Sequence, residues 1–287
     1  MKILLAVDGS DQSDQAARAL AHLSTADQLI VLHAVDVPKP AYPMIMPEVA
    51  HGIYTTLERT MREDGERLLN RIGSILPDHT GPVSNRLEVG RVVEMILAVV
   101  EKEQVDLIVL GARGLGPVRE LVLGSVSHRV LTHASCSTLV VNQPLPSLRR
   151  VLLAVEGIQD AESACRFLAL KPFREPVEVT VLTVLPFAQS MWPAGVSDSE
   201  VLKANLVKSA RNFAWDVATR LSRYHYVATA AVAQGAPAVE ILDEASRTKP
   251  DLILMGSRSR EGPTRFLLGS VSHAVLHRAP CPTLVFR

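Results

Sequence analysis

The chain contains nearly the same eighteen residues twice. GARGLGPVRELVLGSVSH begins at Gly111, and GSRSREGPTRFLLGSVSH begins at Gly256. Between Asp106 and Val141, half of the positions are identical in the second copy, and they occur in the same order. The period of about 145 residues is far longer than the repeats of solenoid proteins, so the pattern indicates a duplicated domain.

The repeat extends to both ends of each half. KILLAVDGS at Lys2 matches RVLLAVEGI at Arg150, and CSTLVV at Cys136 matches CPTLVF at Cys281. The polar, proline-bearing segment 142–149 separates the two copies and is the predicted linker. We therefore predict two domains, 1–143 and 149–287, in a chain of 287 residues, a length that two ordinary domains would fill.

Within each half, apolar runs rich in β-branched residues alternate with helical patterns. In the first half we predict strands at 2–7, 28–35, 83–89, 106–111 and 137–142, and helices at 11–24, 92–100 and 118–132. Apolar strands separated by helices are typical of a parallel sheet that is covered on both faces. The predicted fold class is α/β, with two tandem Rossmann-like domains that are doubly wound and contain about five parallel strands each. Such folds bind ligands at the carboxyl ends of the strands, where the strand order reverses.

Composition excludes several classes of protein. Thirty Lys and Arg balance thirty Asp and Glu, so the net charge gives no reason to expect nucleic acid or an anionic membrane as a partner. No apolar run approaches the roughly 20 residues of a membrane span, and the N-terminus reads as a buried strand rather than a signal peptide. The three cysteines, Cys136, Cys165 and Cys281, lack CxxC spacing, so we expect a cytoplasmic protein without disulfides or a metal cluster.

The duplicated stretch has the residues that a phosphate-binding loop needs. Gly111 and Gly114 follow a predicted strand, and Gly124 and Ser125 come near the start of the last helix. Glycine lets the backbone approach a ligand closely, and the N–H groups of a helix N-terminus attract anions without a lysine. The hydroxyls of Ser125 and Ser127 would add donors. The alternative is that these glycines only turn the chain and cap the helix.

The spacing G-x2-G-x9-G-S resembles the nucleotide-binding motif of universal stress proteins. AVDGS at Ala6, LHAVD at Leu32 and the closing STLVV strand resemble the same family at the expected places, and the whole chain resembles a tandem member. The resemblance implies that adenosine and phosphates lie beside Asp8, which could instead be a plain helix-capping residue, and that adenine meets the backbone at Ala34. The implied first site is Ala6, Val7, Asp8, Ala34, Gly111, Arg113, Gly114, Gly124, Ser125, Val126 and Ser127.

The second copy departs from this motif at two positions. Glu156 replaces the aspartate, and one extra methylene moves its carboxylate by about an ångström or more. Ser259 replaces the second glycine, which would cost about 1–2 kcal/mol if the position requires a positive φ. The degenerate second site comprises Glu156, Val184, Gly256, Ser259, Gly269, Ser270, Val271 and Ser272, with Arg258 and Arg260 adding positive charge. We expect the first site to bind nucleotide better than the second, which is empty or takes something else.

The resemblance implies a cytoplasmic stress-response protein that binds ATP or AMP, with Mg²⁺ accompanying the nucleotide, and regulates an unidentified protein partner. We predict no catalytic residue, because the sequence has no P-loop lysine and no GxSxG, HExxH or HRD motif. One alternative is a slow ATPase or phosphotransferase that uses Asp8 and a divalent ion. Another is a nucleotide-free scaffold that works by protein contacts or by binding small apolar ligands through the methionine-rich loops at 38–52 and 186–195.

Two further features bear on assembly. His128 and His273 occupy equivalent places in the two GSVSH segments, and we expect both on the helix surface. The last strand of each half is expected at a sheet edge, and exposed apolar edges are usually covered. In the family these strands pair across a two-fold axis, so the resemblance implies an intramolecular pseudo-dimer and leaves open whether two chains also pair.

Overall fold

The computed structural model describes residues 1–38, 47–114, 123–186, 200–257 and 268–287. Its first half contains β1 (Lys2–Ala6), α1 (Asp11–Ala19), β2 (Gln28–Val35), α2 (Pro47–Gly73), β3 (Val83–Val89), α3 (Val92–Glu103), β4 (Leu107–Gly111), α4 (Ser125–His133) and β5 (Ser137–Val141). Its second half contains β6 (Arg150–Ala154), α5 (Ile158–Ala169), β7 (Glu178–Leu185), α6 (Glu200–Ser222), β8 (Val227–Gln234), α7 (Pro237–Thr248), β9 (Leu252–Gly256), α8 (Ser270–Arg278) and β10 (Thr283–Phe286).

The five strands predicted in the first half are confirmed to within one residue at each end. The helix predicted at 11–24 is shorter: α1 ends at Ala19 and a 3₁₀ turn follows, because Leu23 becomes extended and bridges to Phe173 of the second half. The helix predicted at 118–132 begins only at Ser125, and 115–122 lie outside the described residues.

The prediction that 38–52 forms a loop is wrong for its last residues, because α2 already begins at Pro47. Proline suits the first turn of a helix, where its missing N–H would have no intrahelical partner. Residues 39–46 and 187–195 of the two methionine-rich segments lie outside the described residues.

All ten strands form one sheet in the order β3-β2-β1-β4-β5-β10-β9-β6-β7-β8. Neighbouring strands within each half are parallel, and the two halves meet through an antiparallel pair in which Leu284 of β10 lies opposite Leu139 of β5. The predicted pairing of the last strands in an intramolecular pseudo-dimer is confirmed. This pairing covers two edges that would otherwise present unpaired backbone groups.

Helices cover both faces of the sheet, as the near-continuous apolar strands predict. Along β1, Ile3 and Leu5 face α1, α2, α5 and α6, whereas Leu4 faces the other layer, formed by α3, α4, α7 and α8. Each of these two hydrophobic cores contains residues of both halves, so the core is continuous across the β5–β10 junction. None of the described helices is long and apolar enough to cross a lipid bilayer.

Two buried hydroxyls at the junction lead to a stability prediction. Thr138 and Thr283 are 1% and 2% exposed, and within the described part of the chain their Oγ1 atoms have no hydrogen-bond partner. Because an unsatisfied buried hydroxyl costs about 1 kcal/mol or more, Thr138→Val and Thr283→Val should each raise the free energy of unfolding by about 1 kcal/mol. Urea denaturation measures this. Thr229→Val on the exposed edge of β8 is the control, and a loss of stability in either junction variant would contradict the prediction.

Candidate functional site

The candidate site of the first domain lies at the carboxyl ends of β1 and β4. These strands are neighbours, and the strand order reverses between them, because β2 and β3 continue on one side and β5 on the other. Such a reversal opens a crevice where α/β proteins bind ligands. Asp8 follows β1, the segment 112–114 follows β4, and the start of α4 returns to the same place: the Gly124 N–H donates to the Ala112 carbonyl at 2.7 Å.

Asp8 is held in place by the residue that caps α1. Its Oδ1 accepts hydrogen bonds from the Ser10 N–H at 3.0 Å and from the Ser10 hydroxyl at 2.6 Å. Ser10, not Asp8, is the N-cap, since its side chain accepts from the Ser13 N–H. The alternative reading of Asp8 as a capping residue is therefore wrong, and its second carboxylate oxygen is directed at the end of β4.

Gly114 is where that second oxygen meets the loop. A Cβ built on Gly114 would overlap Asp8 Oδ2, so any side chain at this position displaces the carboxylate. The positive-φ glycines in the described chain are Gly9, Gly81, Gly90 and Gly235, and Gly114 is not one of them. The second glycine of the motif therefore does not need a positive φ. Glycine is required here because a side chain would overlap the Asp8 carboxylate.

The structure gives Gly111 a packing role. A Cβ on Gly111 would lie 2.9 Å from the backbone carbon of Gln12, because the first turn of α1 packs directly on the end of β4. The Gln12 side-chain oxygen then accepts a hydrogen bond from the Arg113 N–H at 2.5 Å. The absent side chain of Gly111 therefore makes room for α1, and the loop after it is anchored by Gln12, a residue that the motif does not contain.

The hydroxyls expected to add phosphate donors divide into two kinds. Ser127 is buried and its hydroxyl donates to the Gly111 carbonyl at 2.7 Å; Ser272 does the same to Gly256 at 2.8 Å. The expectation that the Ser127 hydroxyl serves phosphate is therefore wrong, because its proton already ties α4 to β4. Ser125 and its counterpart Ser270 are exposed at the starts of α4 and α8, so the prediction that such hydroxyls donate to phosphate stands for these two residues.

The N-terminus of α4 provides backbone donors. Gly124 caps the helix without a side-chain hydrogen bond, and the first N–H groups of a helix have no intrahelical partner. Ser125 and Val126 are exposed in this first turn. A Cβ on Gly124 would lie 3.3 Å from the Ala112 carbonyl oxygen, so this glycine allows the helix start to approach the loop closely. Donors and the positive end of the helix macrodipole thus stand beside the loop.

The remaining predicted residues form the wall of the crevice. The Val7 N–H donates a hydrogen bond to the Leu32 carbonyl at 2.9 Å, and the Val7 carbonyl oxygen lies 2.8 Å from Nδ1 of His33, within hydrogen-bond distance. The Val7 N–H is therefore not available to a ligand. Ala6, the last residue of β1, lies opposite Leu32 of β2. Because β2 continues beyond this pair, Ala34 of β2, which is 9% exposed, lies past the end of β1.

In the second domain the corresponding position is an open pocket. Its cavity volume is about 100 Å³, it opens to solvent, and its lining includes Glu156, Val184, Gly256, Gly269, Val271 and Ser272 of the predicted second site. Ser259, Arg258 and Arg260 lie outside the described residues. Most of the predicted second site is thus brought together around a cavity.

Asp160 is the pocket residue that sequence reasoning missed. Its carboxylate lies against the Cα of Gly256 and accepts a hydrogen bond from the Glu156 N–H at 3.4 Å. Burial raises the pKa of Asp160 to about 6; the negative charge of Glu156 also raises it, and the hydrogen bond from the Glu156 N–H opposes the shift. Asp160 of α5 occupies the position of Gln12 of α1 in the first domain. Neither residue belongs to the glycine motif, because each lies on a helix that packs against the end of a distant strand.

The equivalent histidines meet across the pseudo-two-fold axis. His273 is exposed as expected, but its ring contacts that of half-buried His128 edge-on, with centroids 5.3 Å apart, and lies 4.4 Å from the ring of His277. Burial lowers the pKa of His128 and of His277, and the neighbouring His273 lowers both further. The first turn of α4 is therefore in contact with α8 of the second domain.

These lowered pKa values predict that acid weakens the junction. A histidine whose pKa is lower in the folded than in the unfolded state contributes stability above about pH 6.5, and that stability is lost as the pH falls through the folded value. The free energy of unfolding, measured by urea denaturation, should therefore fall less from pH 7.5 to 5.5 in His128→Gln than in the wild type. Asp160 acts with the opposite sign but is present in both proteins, so it cancels in the comparison.

His51→Gln, at an exposed position on α2, is the control for this pH series and should behave as the wild type. An unchanged pH dependence in His128→Gln would show that protonation of the cluster does not bear on stability.

Neither metal chemistry nor thiol chemistry is indicated by the residues that the structure describes. Within those ranges no group of three or more His, Cys, Asp or Glu side chains is arranged to hold a metal ion. Burial raises the pKa of Cys136 and of Cys281 to about 12, so these two thiols stay protonated at neutral pH.

Comparison with known proteins agrees with this architecture. The model of the universal stress protein family matches residues 1–142 and again residues 147–287. A universal stress protein of Mycobacterium tuberculosis is 25% identical over 99% of this chain and 96% of its own length. One of Thermus aquaticus is 37% identical over 48% of this chain and 96% of its own length.

A solved structure shows the same fold over the full length. The crystal structure of a universal stress protein from Archaeoglobus fulgidus covers 100% of this chain and 96% of its own, with a TM-score of 0.67 at 19% identity. Since the family model matches each half separately and the fold is shared throughout, the chain belongs to the universal stress protein family, as a member with two family domains in one polypeptide.

Proposed function

We propose that the first domain binds an adenine nucleotide and that its occupancy regulates a protein partner in the cytoplasm. The observation that carries this proposal is the contact between the Asp8 carboxylate and the bare Cα of Gly114, beside the N-terminus of α4. A carboxylate, a glycine without a side chain and the N–H groups of a helix N-terminus suit a ligand that has both hydroxyls and phosphates.

The described residues fit a nucleotide. The Ser125 and Val126 N–H groups would hold phosphate oxygens, because they are exposed in the first turn of α4. Asp8 Oδ2 is the oxygen that Ser10 does not engage, and it would accept a ribose hydroxyl or face a divalent ion bound with the phosphates. The apolar surface of Val7 and the end of β2 at Ala34 would cover the base.

The same residues favour binding over catalysis. A site built from backbone donors orients and stabilises phosphates, but fast phosphoryl transfer also needs a positioned base, an arginine or a metal cluster. The sequence has none of the motifs that supply these groups. A slow ATPase that uses Asp8 is the second candidate, because Ser10 engages Oδ1 of this carboxylate and its Oδ2 would face a divalent ion bound with the phosphates.

The position of α4 supports a regulatory role. This helix begins at the proposed phosphate site, and its residue His128 contacts His273 of the second domain. A ligand that orders the first turn of α4 would therefore act on the junction between the domains. We propose that the partner recognises this junction-dependent change.

The test is calorimetric titration of the full chain with ATP and with AMP, each with and without Mg²⁺. We expect one nucleotide per chain bound in the first domain. Phosphate release from ATP, measured in parallel, separates the candidates: release that Asp8→Ala abolishes while ATP still binds would favour the enzyme. Absence of binding by both nucleotides would overturn the proposal and favour the scaffold.

A further inference from the structure

The pocket of the second domain has the walls of a ring-binding site. Its apolar lining comes from the strand ends and from α7, and includes Ala154, Leu182, Val184, Pro237, Ile241 and Met255. The cavity has a volume of about 100 Å³ and opens to solvent, and like small-molecule sites it is mostly apolar with a few placed polar groups. Aliphatic walls of this kind suit a planar ring.

The polar end of the pocket differs from that of the first domain by one carboxylate. Gln12 in the first domain is neutral and uses its side-chain oxygen on the Arg113 N–H. Its counterpart Asp160 lines the pocket, accepts a hydrogen bond from the Glu156 N–H and packs against Gly256, which has no side chain. Glu156 lines the pocket as well and is exposed, so two acidic side chains stand where the first domain has only Asp8.

We propose that this pocket binds an uncharged ring with hydroxyl or amino donors, a nucleoside rather than a nucleotide. The apolar wall takes the ring, and the Asp160 carboxylate accepts hydrogen bonds from the donors. The same carboxylate repels phosphate oxygens, because two like charges in a partly dry pocket interact more strongly than in water. The second domain thus senses the dephosphorylated class of ligand. This assignment does not depend on nucleotide binding by the first domain.

The charge of Asp160 makes the selectivity depend on pH. Burial and the charge of Glu156 raise the pKa of Asp160 to about 6, so it is mostly ionised at pH 7.5 and mostly protonated at pH 5.5. Glu156, on the loop between β6 and α5, is the charged group that acts on it among the described residues. We expect the preference of this pocket for adenosine over AMP to shrink as the pH falls to 5.5, because protonated Asp160 no longer repels phosphate.

The test is calorimetric titration of the full chain with adenosine and with AMP at pH 7.5, using a matched pair of variants. Val184→Phe fills the pocket, and Ala34→Phe makes the equivalent change in the first domain. We expect Val184→Phe to abolish a component of adenosine binding that Ala34→Phe leaves intact. AMP should bind to this component about tenfold more weakly than adenosine or worse.

Asp160→Asn removes the charge while keeping the shape, so it tests the proposal even if Val184→Phe does not fold. We expect adenosine to bind about tenfold more weakly to this variant, since a hydrogen bond to a charged acceptor is lost, and its preference over AMP to disappear, because AMP loses the same hydrogen bond but also the repulsion. Adenosine binding that neither Val184→Phe nor Asp160→Asn changes, or AMP binding as tight as that of adenosine in this pocket at pH 7.5, would overturn the proposal. If the first domain does not bind adenosine or AMP, Ala34→Phe will leave the binding of both ligands unchanged, and this outcome is distinguishable from failure of the second-domain proposal.

Discussion

ATP binding by the first domain should be lost when Gly114 is replaced by serine. The added Cβ would overlap Asp8 Oδ2, so the carboxylate has to leave the position in which Ser10 holds it. Losing one hydrogen bond to a charged group weakens binding about tenfold or more, and the side chain also blocks the loop where phosphates would approach. Calorimetric titration of ATP with Mg²⁺ into wild type and variant measures the loss.

Two further variants show whether the clash is the cause. Gly52→Ser lies on exposed α2, where a Cβ meets no atom within 4 Å, and it should bind ATP as the wild type does. Combining Gly114→Ser with Asp8→Ala removes the clash, so it should recover stability lost in Gly114→Ser without recovering ATP binding. If Gly114→Ser binds ATP normally, the contact between these residues is not part of the site. Serine at position 259 would then not explain any difference between the domains.

Leu284→Ala should lower the free energy of unfolding of both domains together by about 3 kcal/mol, since truncating a buried leucine typically costs about 2–5 kcal/mol. Leu284 is 0% exposed and lies opposite Leu139, which is 1% exposed, in the antiparallel pair that joins the halves. Both belong to a core that contains residues of each half. Urea denaturation followed by circular dichroism should therefore show a single transition that moves to lower urea.

The pairing itself is measured by a double-mutant cycle. Leu139→Ala should cost a similar amount, and the double variant should cost less than the two losses combined, because contacting residues are coupled by about 0.5–3 kcal/mol. Val239→Ala, at a position 44% exposed on α7, is the control and should change stability by less than about 0.5 kcal/mol. Two separate transitions in the wild type or in Leu284→Ala would show that the halves fold independently of the junction.

Much of the site was predictable because its parts are local in sequence. The strand ends place Asp8, the segment 112–114 and Gly124 at one edge of a parallel sheet, and glycine spacing marks where bulk is excluded. Sequence reasoning misjudged the Ser127 hydroxyl, since nothing local shows that its acceptor is Gly111, sixteen residues away. It also missed Gln12 of α1 and Asp160 of α5, because the glycine motifs do not indicate that these helices pack against β4 and β9.

The duplicated pattern of apolar runs by itself determined that this protein has two α/β domains, because side-chain periodicity dictates which residues a sheet and its helices can bury. Only the tertiary structure decided what each site residue does. It showed that Gly114 accommodates a carboxylate, that Gly111 accommodates a helix, and that the second domain encloses a pocket with an additional acid. The physical reason is that these roles depend on contacts between segments about 100 residues apart, and a sequence pattern records only spacing along the chain.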